Sequence, residues 1–423
     1  MRTLIVSDLH LGGAAHADVL RRPAARAALF AELEGVERLV LLGDVLELRH
    51  GPRREALAVA RGFFEELGRV FDGREVVVCA GNHDHALVEP WLARRTELDT
   101  SPEPLGVEQR PSPAECSSMM AALARWCEPA RLTAAYPGLW VRSDVYATHG
   151  HYLDCHMTVP TIECLSLGVM GRMLGRPASS FTAPADYETV MGPVFAWLDA
   201  VARQRPVGNA SGGQATVRAW RTLGGGGGSR RGGGGGGGSR GGGSGSGSGG
   251  GGGGGGSRGG GSGSGGDRRG RGRGGSTRVA DLRARVLGGA IKSGFPLAVS
   301  ALNRLGLGQF KADISSDELR RAGLRAMGEV AERLALGDAY VIFGHTHRTG
   351  PLPSDREPLW VSPAGARLMN TGCWTYDRHF LTRTAGESPY WPGGCVLVPE
   401  HGPPVLKRLL VERTHSELEP VAV

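Results

Sequence analysis

The sequence predicts an α/β fold in which a largely parallel sheet is covered by helices on both faces. Continuous apolar runs in segments 3–6, 38–44 and 75–84 alternate with helical patterns at residues 24–34 and 54–70. Runs without polar alternation are typical of strands buried on both faces, and strand–helix alternation favours parallel pairing. Each run ends in a polar cluster, which is where open α/β sheets build their sites.

The second half of the chain predicts more strands after a helical interruption. Segment 144–150 is a fourth strand, and segments 339–344, 359–362, 367–374 and 394–400 form a β-rich tail of mixed or antiparallel character. Helical patterns at residues 186–205 and 315–336 lie between them. We therefore predict a core made of residues 1–155 and 338–415, interrupted by a helical insertion at residues 156–337.

Within this insertion, residues 224–278 have a composition of their own. Positions 224–275 hold 35 of the 70 glycines, and nine arginines against one acid, Asp267, give segment 224–278 a charge of +8. Such a segment buries too little apolar surface to offset its ordering entropy, so we predict disorder. It is interpreted as a flexible loop expansion; weak attraction to RNA or phosphate is the alternative, without interleaved aromatic residues for base stacking.

Outside segment 224–278 the charge is near neutral, because the whole chain carries only +7. The seven cysteines contain no CxxC pair, which predicts reduced thiols and a cytoplasmic location. The amino terminus enters a strand without a signal-like segment, and no apolar run reaches the length of a membrane span. Contact with a membrane surface and the oligomeric state stay open.

Five polar motifs follow the predicted strands. They are SDLHLGG (7–13), GDVLE (43–47), AGNHDH (80–85), THGH (148–151) and GHTH (344–347). Each motif alone is weak evidence for a metal site, but all five follow the ends of predicted strands. Their carboxylate, imidazole and amide groups are ligands for a pair of divalent ions such as Mn²⁺, Fe or Zn²⁺. Two cations about 3.5–4 Å apart need a bridging carboxylate, and Asp44 is the candidate.

Taken together, these motifs resemble those of the calcineurin-like metallophosphoesterase superfamily: D-x-H, G-D-x-x-[D/E], G-N-H-[D/E], H and G-H-x-H. The resemblance covers residues 1 to about 155 and 338 to about 400. It implies a two-sheet core and two divalent ions, Mn²⁺ first, with phosphoester hydrolysis by metal-activated hydroxide. It also implies site roles for nine residues: Asp8, His10 and His347 on one metal; Asn82, His149 and His345 on the other; Asp44 bridging both; His83 protonating or stabilising the leaving group; and Asp84 orienting His83.

Several neighbours of these motifs are interpreted separately from the nine site residues. His151 is interpreted either as a phosphate contact or as a neighbour of the site. Glu47 stands where protein phosphatases of the superfamily more often have Asp, and it lacks their following Arg-Gly, which argues against a protein phosphatase. His156, Asp154 and Tyr152 are candidates for the pocket mouth, with ordinary packing as the alternative. Residues 370–374, NTGCW, are predicted to support GHTH from behind.

The substrate is left open by the sequence, as a phosphomonoester, a phosphodiester or a pyrophosphate. SDLHLGG with GDVLE looks like the branch containing UDP-2,3-diacylglucosamine pyrophosphohydrolases, which carry a helical insertion that grips acyl chains. That branch typically has Arg where this chain has His83, and its insertion is shorter. A nucleic-acid-associated phosphodiesterase or nuclease that uses the Arg/Gly segment is the other alternative.

Overall fold

The computed structural model describes residues 1–97, 104–203, 316–378 and 380–420. The predicted Gly/Arg-rich segment at 224–278 lies outside the described residues. Within these described residues, ten strands form one continuous sheet: β1 (Thr3–Val6), β2 (Arg38–Leu42), β3 (Glu75–Cys79), β4 (Glu108–Gln109), β5 (Arg131–Arg142), β6 (Val145–Thr148), β7 (Tyr340–Phe343), β8 (Arg367–Asn370), β9 (Gly394–Val398) and β10 (Val405–Arg408). Their order is β10-β9-β1-β2-β3-β5-β6-β7-β8, with β4 paired to β5.

Helices flank this sheet and connect its strands. They are α1 (Pro23–Ala31), α2 (Arg53–Val70), α3 (Glu89–Glu97), α4 (Pro113–Cys116), α5 (Ser118–Trp126), α6 (Ile162–Met173), α7 (Pro184–Arg203), α8 (Ser316–Arg333) and α9 (His415–Leu418). As predicted, β1, β2 and β3 pair in parallel, whereas β9 runs antiparallel to β1.

The sheet bends at β5, so that its two halves stack as a sandwich. Alternation along β1 shows the layers: Leu4 and Val6 join the helix-covered cluster, while Ile5 packs in a second cluster. That second cluster combines residues from both halves, including Val77 of β3 and Ile342 of β7. Helices therefore cover both outer faces of a two-sheet core, and the predicted α/β sandwich is confirmed.

β5 is the hinge of the sandwich and was not predicted. Its first half, Arg131–Ala135, pairs in parallel with β3, and its second half pairs antiparallel with β6. Pro137 stands where the strand passes from one half to the other. Proline and glycine inside a run argue against a strand, because proline cannot donate to the ladder, and this masks β5 in the sequence.

The helices of the predicted insertion pack on the second half of the sheet. Side chains of α6, α7 and α8, such as Leu167, Val190 and Met327, share one hydrophobic cluster with Val341 of β7. The boundaries of the insertion stay a prediction, but its described helices form the outer layer of the sandwich. Among the described residues, no helix combines the length and apolar character needed to cross a bilayer.

Candidate metal centre

The candidate site lies where five strands end. β1, β2 and β3 are parallel, and so are β6 and β7, so the residues that follow their carboxyl ends converge at one edge of the sandwich. Asp8 follows β1, Asp44 follows β2, Asn82 follows β3, His149 follows β6, and His345 follows β7. The topology therefore brings together residues that are as far apart in sequence as Asp8 and His347.

The backbone at this edge is strained in a consistent way. Of the seven non-glycine residues with positive φ in the described part of the chain, five are predicted ligands: Asp8 (56°), His10 (45°), Asp44 (50°), His345 (64°) and His347 (57°). Left-handed backbone is unfavourable for residues with a Cβ, and such strain concentrates at functional sites. Here the left-handed backbone directs these side chains into the site, whereas an extended backbone would direct them elsewhere.

Gly344 is required for close packing at the site and not for the turn at His345 and His347. The turn is made by the two histidines themselves, whose φ angles are positive, and not by a left-handed Gly344. A Cβ on Gly344 would lie 2.3 Å from Asp8 Oδ2 and 2.1 Å from Ser7 Oγ. Glycine is therefore required because β1 and β7 approach each other closely at the ligands.

Six of the side chains predicted as ligands lie in two groups. Potential ligand atoms of Asp8, His10 and His347 lie within 4.8 Å of one another, and so do those of Asp44, His149 and His345. Asp44 contacts both groups: its Oδ2 is 3.6 Å from Nε2 of His10 in the first group and 3.4 Å from Nε2 of His149 in the second. Asp44 thus stands between the two groups, as a bridging carboxylate must.

The donor atoms fit cations. Asp8 Oδ1 is buried and lies 3.3 Å from His347 Nε2 and 3.9 Å from His10 Nε2, the ligand atoms predicted for the same ion. Asn82 Oδ1 lies 3.1 Å from both His149 Nε2 and His345 Nδ1, so acceptor atoms face one another. Turning the amide would let its nitrogen donate to these atoms, but a cation is satisfied by the oxygen. Mixed imidazole, carboxylate and amide donors suit Mn²⁺, Fe or Zn²⁺.

Hydrogen bonds behind the histidines fix which ring nitrogen faces the centre. His149 Nδ1 donates to the Leu42 carbonyl at 3.0 Å, and His10 Nδ1 donates to Glu47 Oε2 at 3.0 Å. His345 Nε2 donates to Asp154 Oδ2 at 3.0 Å. Each bond leaves the other nitrogen with a lone pair for a metal, which is the usual arrangement of ligating histidines. The orienting roles of Glu47 and Asp154 were not predicted.

The predicted orientation of His83 by Asp84 is wrong. Asp84 Oδ2 accepts from the amides of Val45 and Leu46 at 2.8 and 3.2 Å, and its Oδ1 accepts from the Gly81 amide at 2.7 Å. These bonds occupy the carboxylate and tie together the loops that carry Asp44 and Asn82. Glu47 orients His83 instead, with its Oε2 2.9 Å from His83 Nδ1.

The electrostatics of the centre favour positive charge. Burial alone would lower the pKa of His149, but the Asp44 carboxylate outweighs burial and raises this pKa to about 9. Burial opposes protonation of His347 as well, yet its hydrogen bond to Asp8 raises its pKa well above the usual value. Protons and metal ions compete for the same lone pairs, so a site that holds protons this firmly also attracts divalent cations.

His83 and Asp84 differ from the ligand histidines because burial dominates their titration. Burial lowers the pKa of His83 to about 4, despite the nearby Glu47 and Asp44 carboxylates. Burial, followed by the Asp44 charge, raises the pKa of Asp84 to about 6. The free ring is therefore mainly neutral, with its Nδ1 hydrogen on Glu47. It can donate a proton from Nε2 only as an imidazolium, which the Glu47 and Asp44 carboxylates favour.

The remaining predicted neighbours have clear positions. Asn370 Nδ2 donates to the Gly344 carbonyl at 2.7 Å and to Thr346 Oγ1 at 3.0 Å, so the predicted support of GHTH by NTGCW is confirmed. His151 is only 1% exposed, and its Nε2 lies 3.4 Å from the Tyr136 hydroxyl. It belongs to the buried layer behind His149.

A cavity of about 270 Å³ opens at the centre. Its polar wall includes Asp44, Asn82, His83, His345 and His347. Its apolar wall comes from α8, the 3₁₀ helix His151–His156 and neighbouring segments: Leu153, Met157, Leu319, Leu324, Phe343 and Trp360. The charged residues Asp154, Glu163, Arg320 and Arg348 also line the cavity. A ligand in this cavity therefore places one part on the ligand residues and another on apolar side chains.

Comparison with known proteins agrees with this geometry. The family model described as calcineurin-like phosphoesterase matches residues 1–168, which hold the first four motifs; His345 and His347 come from beyond the match. No curated protein matches the chain with significant similarity. The matched domain over residues 1–168, together with the two groups of potential ligands, indicates a metal-dependent phosphoester hydrolase.

Proposed function

We propose that the chain hydrolyses a phosphoester or pyrophosphate of a small molecule that carries an apolar group, with Mn²⁺ as the first choice of metal. The observation that supports this substrate class is the cavity, which is lined both by predicted ligands, including Asp44 and His345, and by six apolar side chains. Burying apolar substrate surface there contributes about 0.8 kcal/mol per methylene, so an apolar substituent strengthens substrate binding.

Two divalent ions, when bound, would activate the attacking water and neutralise charge on the phosphoryl oxygens. Asp8, His10 and His347 would hold one ion, and Asn82, His149 and His345 the other, with Asp44 shared. His83 lines the cavity beside these ligands, with its Nδ1 held by Glu47. We assign it to the leaving-group oxygen, which it protonates or stabilises.

A UDP-2,3-diacylglucosamine-type pyrophosphohydrolase is the second candidate. The apolar side chains that α8 and segment 151–157 present to the centre support it, because such a substrate joins a pyrophosphate to acyl chains. His83 in place of the Arg of that branch counts against a direct transfer. A nuclease would need an open, basic groove, whereas the charge of this cavity is mixed, with Glu163 and Asp154 beside Arg320 and Arg348.

A substrate panel with Mn²⁺-loaded protein tests this proposal. The panel contains p-nitrophenyl phosphate, bis(p-nitrophenyl) phosphate, cyclic nucleotides, UDP-N-acetylglucosamine, an acylated UDP-glucosamine and a single-stranded oligonucleotide. We expect the acylated substrate to exceed UDP-N-acetylglucosamine in kcat/KM by about 10-fold or more, since two buried methylenes suffice for that ratio.

The same panel applied to a variant lacking residues 224–275 separates the alternatives. We expect its activity on the small substrates to stay within about 2-fold of the intact chain, because loop length has little thermodynamic effect. Best hydrolysis of the oligonucleotide, lost on this deletion, would favour the nuclease. Equal rates with and without the acyl chain would contradict the proposed role of the apolar wall.

A further inference from the structure

Arg49 is a charged side chain at the edge of the centre that no role above uses. Its Nη1 lies 3.1 Å from the Asn82 side-chain amide. Its Nη2 is buried and has no hydrogen-bond partner among the described residues. The guanidinium carbon lies 4.8 Å from the centre of the Phe195 ring, within the range of a cation–π interaction. A buried guanidinium with unused donors needs an acceptor.

Asn82 determines where that acceptor must come from. When Asn82 Oδ1 faces His149 Nε2 and His345 Nδ1, its amide nitrogen faces Arg49 Nη1, so two donors oppose each other. The turned amide would give Arg49 an oxygen, but it would withdraw that oxygen from the ligand group. If Asn82 Oδ1 ligates a metal, the Asn82 side-chain NH₂ and the Arg49 guanidinium are two neighbouring donors. An anionic oxygen placed between them could accept from both.

This position adjoins the substrate cavity. A small recess is lined by Arg49, Asn82, His83 and Phe195, together with the acidic Glu89 and Asp199, and Asn82 and His83 also line the main cavity. A phosphoryl group that contacts Asn82 or His83 thus lies next to the guanidinium.

We propose that Arg49, together with the Asn82 amide, binds a non-bridging oxygen of the substrate phosphoryl group, and that Phe195 positions the guanidinium for this contact. The proposal rests on the proposed phosphoester chemistry. It also gives the inserted region a part in the site, because Phe195 belongs to α7. The planar guanidinium suits this contact better than a lysine would, because it combines directed donors with a face that packs on an aromatic ring.

Arg348 and Arg320 are the competing basic residues, because both line the main cavity, whereas Arg49 lines the adjoining recess. Both also have donor atoms without a hydrogen-bond partner among the described residues, but each has an acidic partner: Asp317 for Arg320 and Asp355 for Arg348. The Arg348 guanidinium lies 5.0 Å from the Trp360 ring centre. Arg348 therefore provides a matched control: an arginine with unused donors that is stacked on an aromatic ring, but that already has an acidic partner.

The test measures binding of inorganic phosphate to Mn²⁺-loaded protein by isothermal titration calorimetry, with metal content determined in parallel. We expect Arg49→Gln to weaken phosphate binding by about 10- to 100-fold, as expected for a lost charge-assisted hydrogen bond, while two metals per chain remain. Arg49→Lys should lie between Arg49→Gln and the unaltered chain. Phe195→Leu should weaken binding by a few fold through the loss of the cation–π contact. Arg348→Gln should change it by less than about 2-fold.

Unchanged phosphate affinity in Arg49→Gln, or a larger loss in Arg348→Gln, would overturn the assignment. The result is separable from the proposed function. If the chain cleaves no ester of the panel but its phosphate affinity still depends on Arg49, the oxyanion site is supported and the proposed substrate class is refuted. If esters are cleaved but phosphate affinity does not depend on Arg49, only the proposed oxyanion site is refuted.

Discussion

Replacing Asp44 with asparagine is expected to abolish both metal loading and turnover. Asp44 is the carboxylate that reaches both ligand groups, with Oδ2 3.6 Å from His10 Nε2 and 3.4 Å from His149 Nε2. A neutral amide cannot screen the repulsion of two divalent ions. The metals contribute several kcal/mol to transition-state stabilisation, so we expect kcat/KM to fall by about 10³-fold or more. Elemental analysis after dialysis, together with hydrolysis of bis(p-nitrophenyl) phosphate, measures both effects.

Asp18→Asn is the matched control for Asp44→Asn. Asp18 is also a buried carboxylate, but it accepts from the Gly12 amide and pairs with Arg21, away from the ligand groups. We expect this variant to keep two metals, whatever it does to the melting temperature. A folded Asp44→Asn protein with two metals and normal turnover would refute the bridging role.

Replacing His83 with alanine is expected to lower kcat while leaving the metals in place. The ring lines the cavity and is held by Glu47 rather than by a ligand of the centre. A positioned acid or base contributes about 10²- to 10⁴-fold. The loss should be largest for alkyl phosphoesters, whose leaving groups need a proton, and small for p-nitrophenyl esters, whose leaving group is already stable. Rates across a leaving-group series measure this difference.

His50→Ala is the matched control for His83→Ala. His50 Nδ1 also contacts Glu47, at 3.3 Å, and its ring centre lies 5.3 Å from that of His83. It is half-exposed and is not among the residues that line the cavity. We expect little change in kcat. Equal losses on good and poor leaving groups in His83→Ala would contradict a role at the leaving group.

The ligand set could be predicted from the sequence because each ligand follows an apolar strand within a short motif. Parallel strands bring their carboxyl ends together whatever the length of chain between them, so Asp8 and His347 could be grouped without knowing the insertion. The family resemblance supplied the division into two groups, and the arrangement of the ligand atoms agrees with it.

The residues around the ligands could not be predicted with the same success. The family resemblance implied that Asp84 orients His83, but the turn directs Asp84 toward backbone amides, and Glu47 from the neighbouring strand end takes that role. Asp154 and Arg49 meet the centre only through tertiary contacts. Such contacts have no sequence periodicity and become visible only when the side chains are placed.

One wrong strand prediction and one missed strand show where the local sequence pattern is insufficient to predict secondary structure. Segment 359–362, LWVS, was predicted as a strand; it begins within the 3₁₀ helix Glu357–Trp360, and only Val361 forms an isolated bridge. Trp360 is buried in the cluster beneath α8, so its apolar character reflects packing rather than sheet pairing. β5 was missed because its Pro137 and Gly138 mark the bend between the two halves of the sheet.

The most direct test of the dinuclear centre is a metal titration of the chelator-treated chain. Mn²⁺ is added stepwise while bound metal and hydrolysis of bis(p-nitrophenyl) phosphate are measured on the same samples. The two ligand groups with a shared Asp44 predict that activity appears with metal binding and reaches its plateau at two equivalents per chain. Full activity in the chelated protein, or a plateau at one equivalent without binding of a second, would contradict a dinuclear centre.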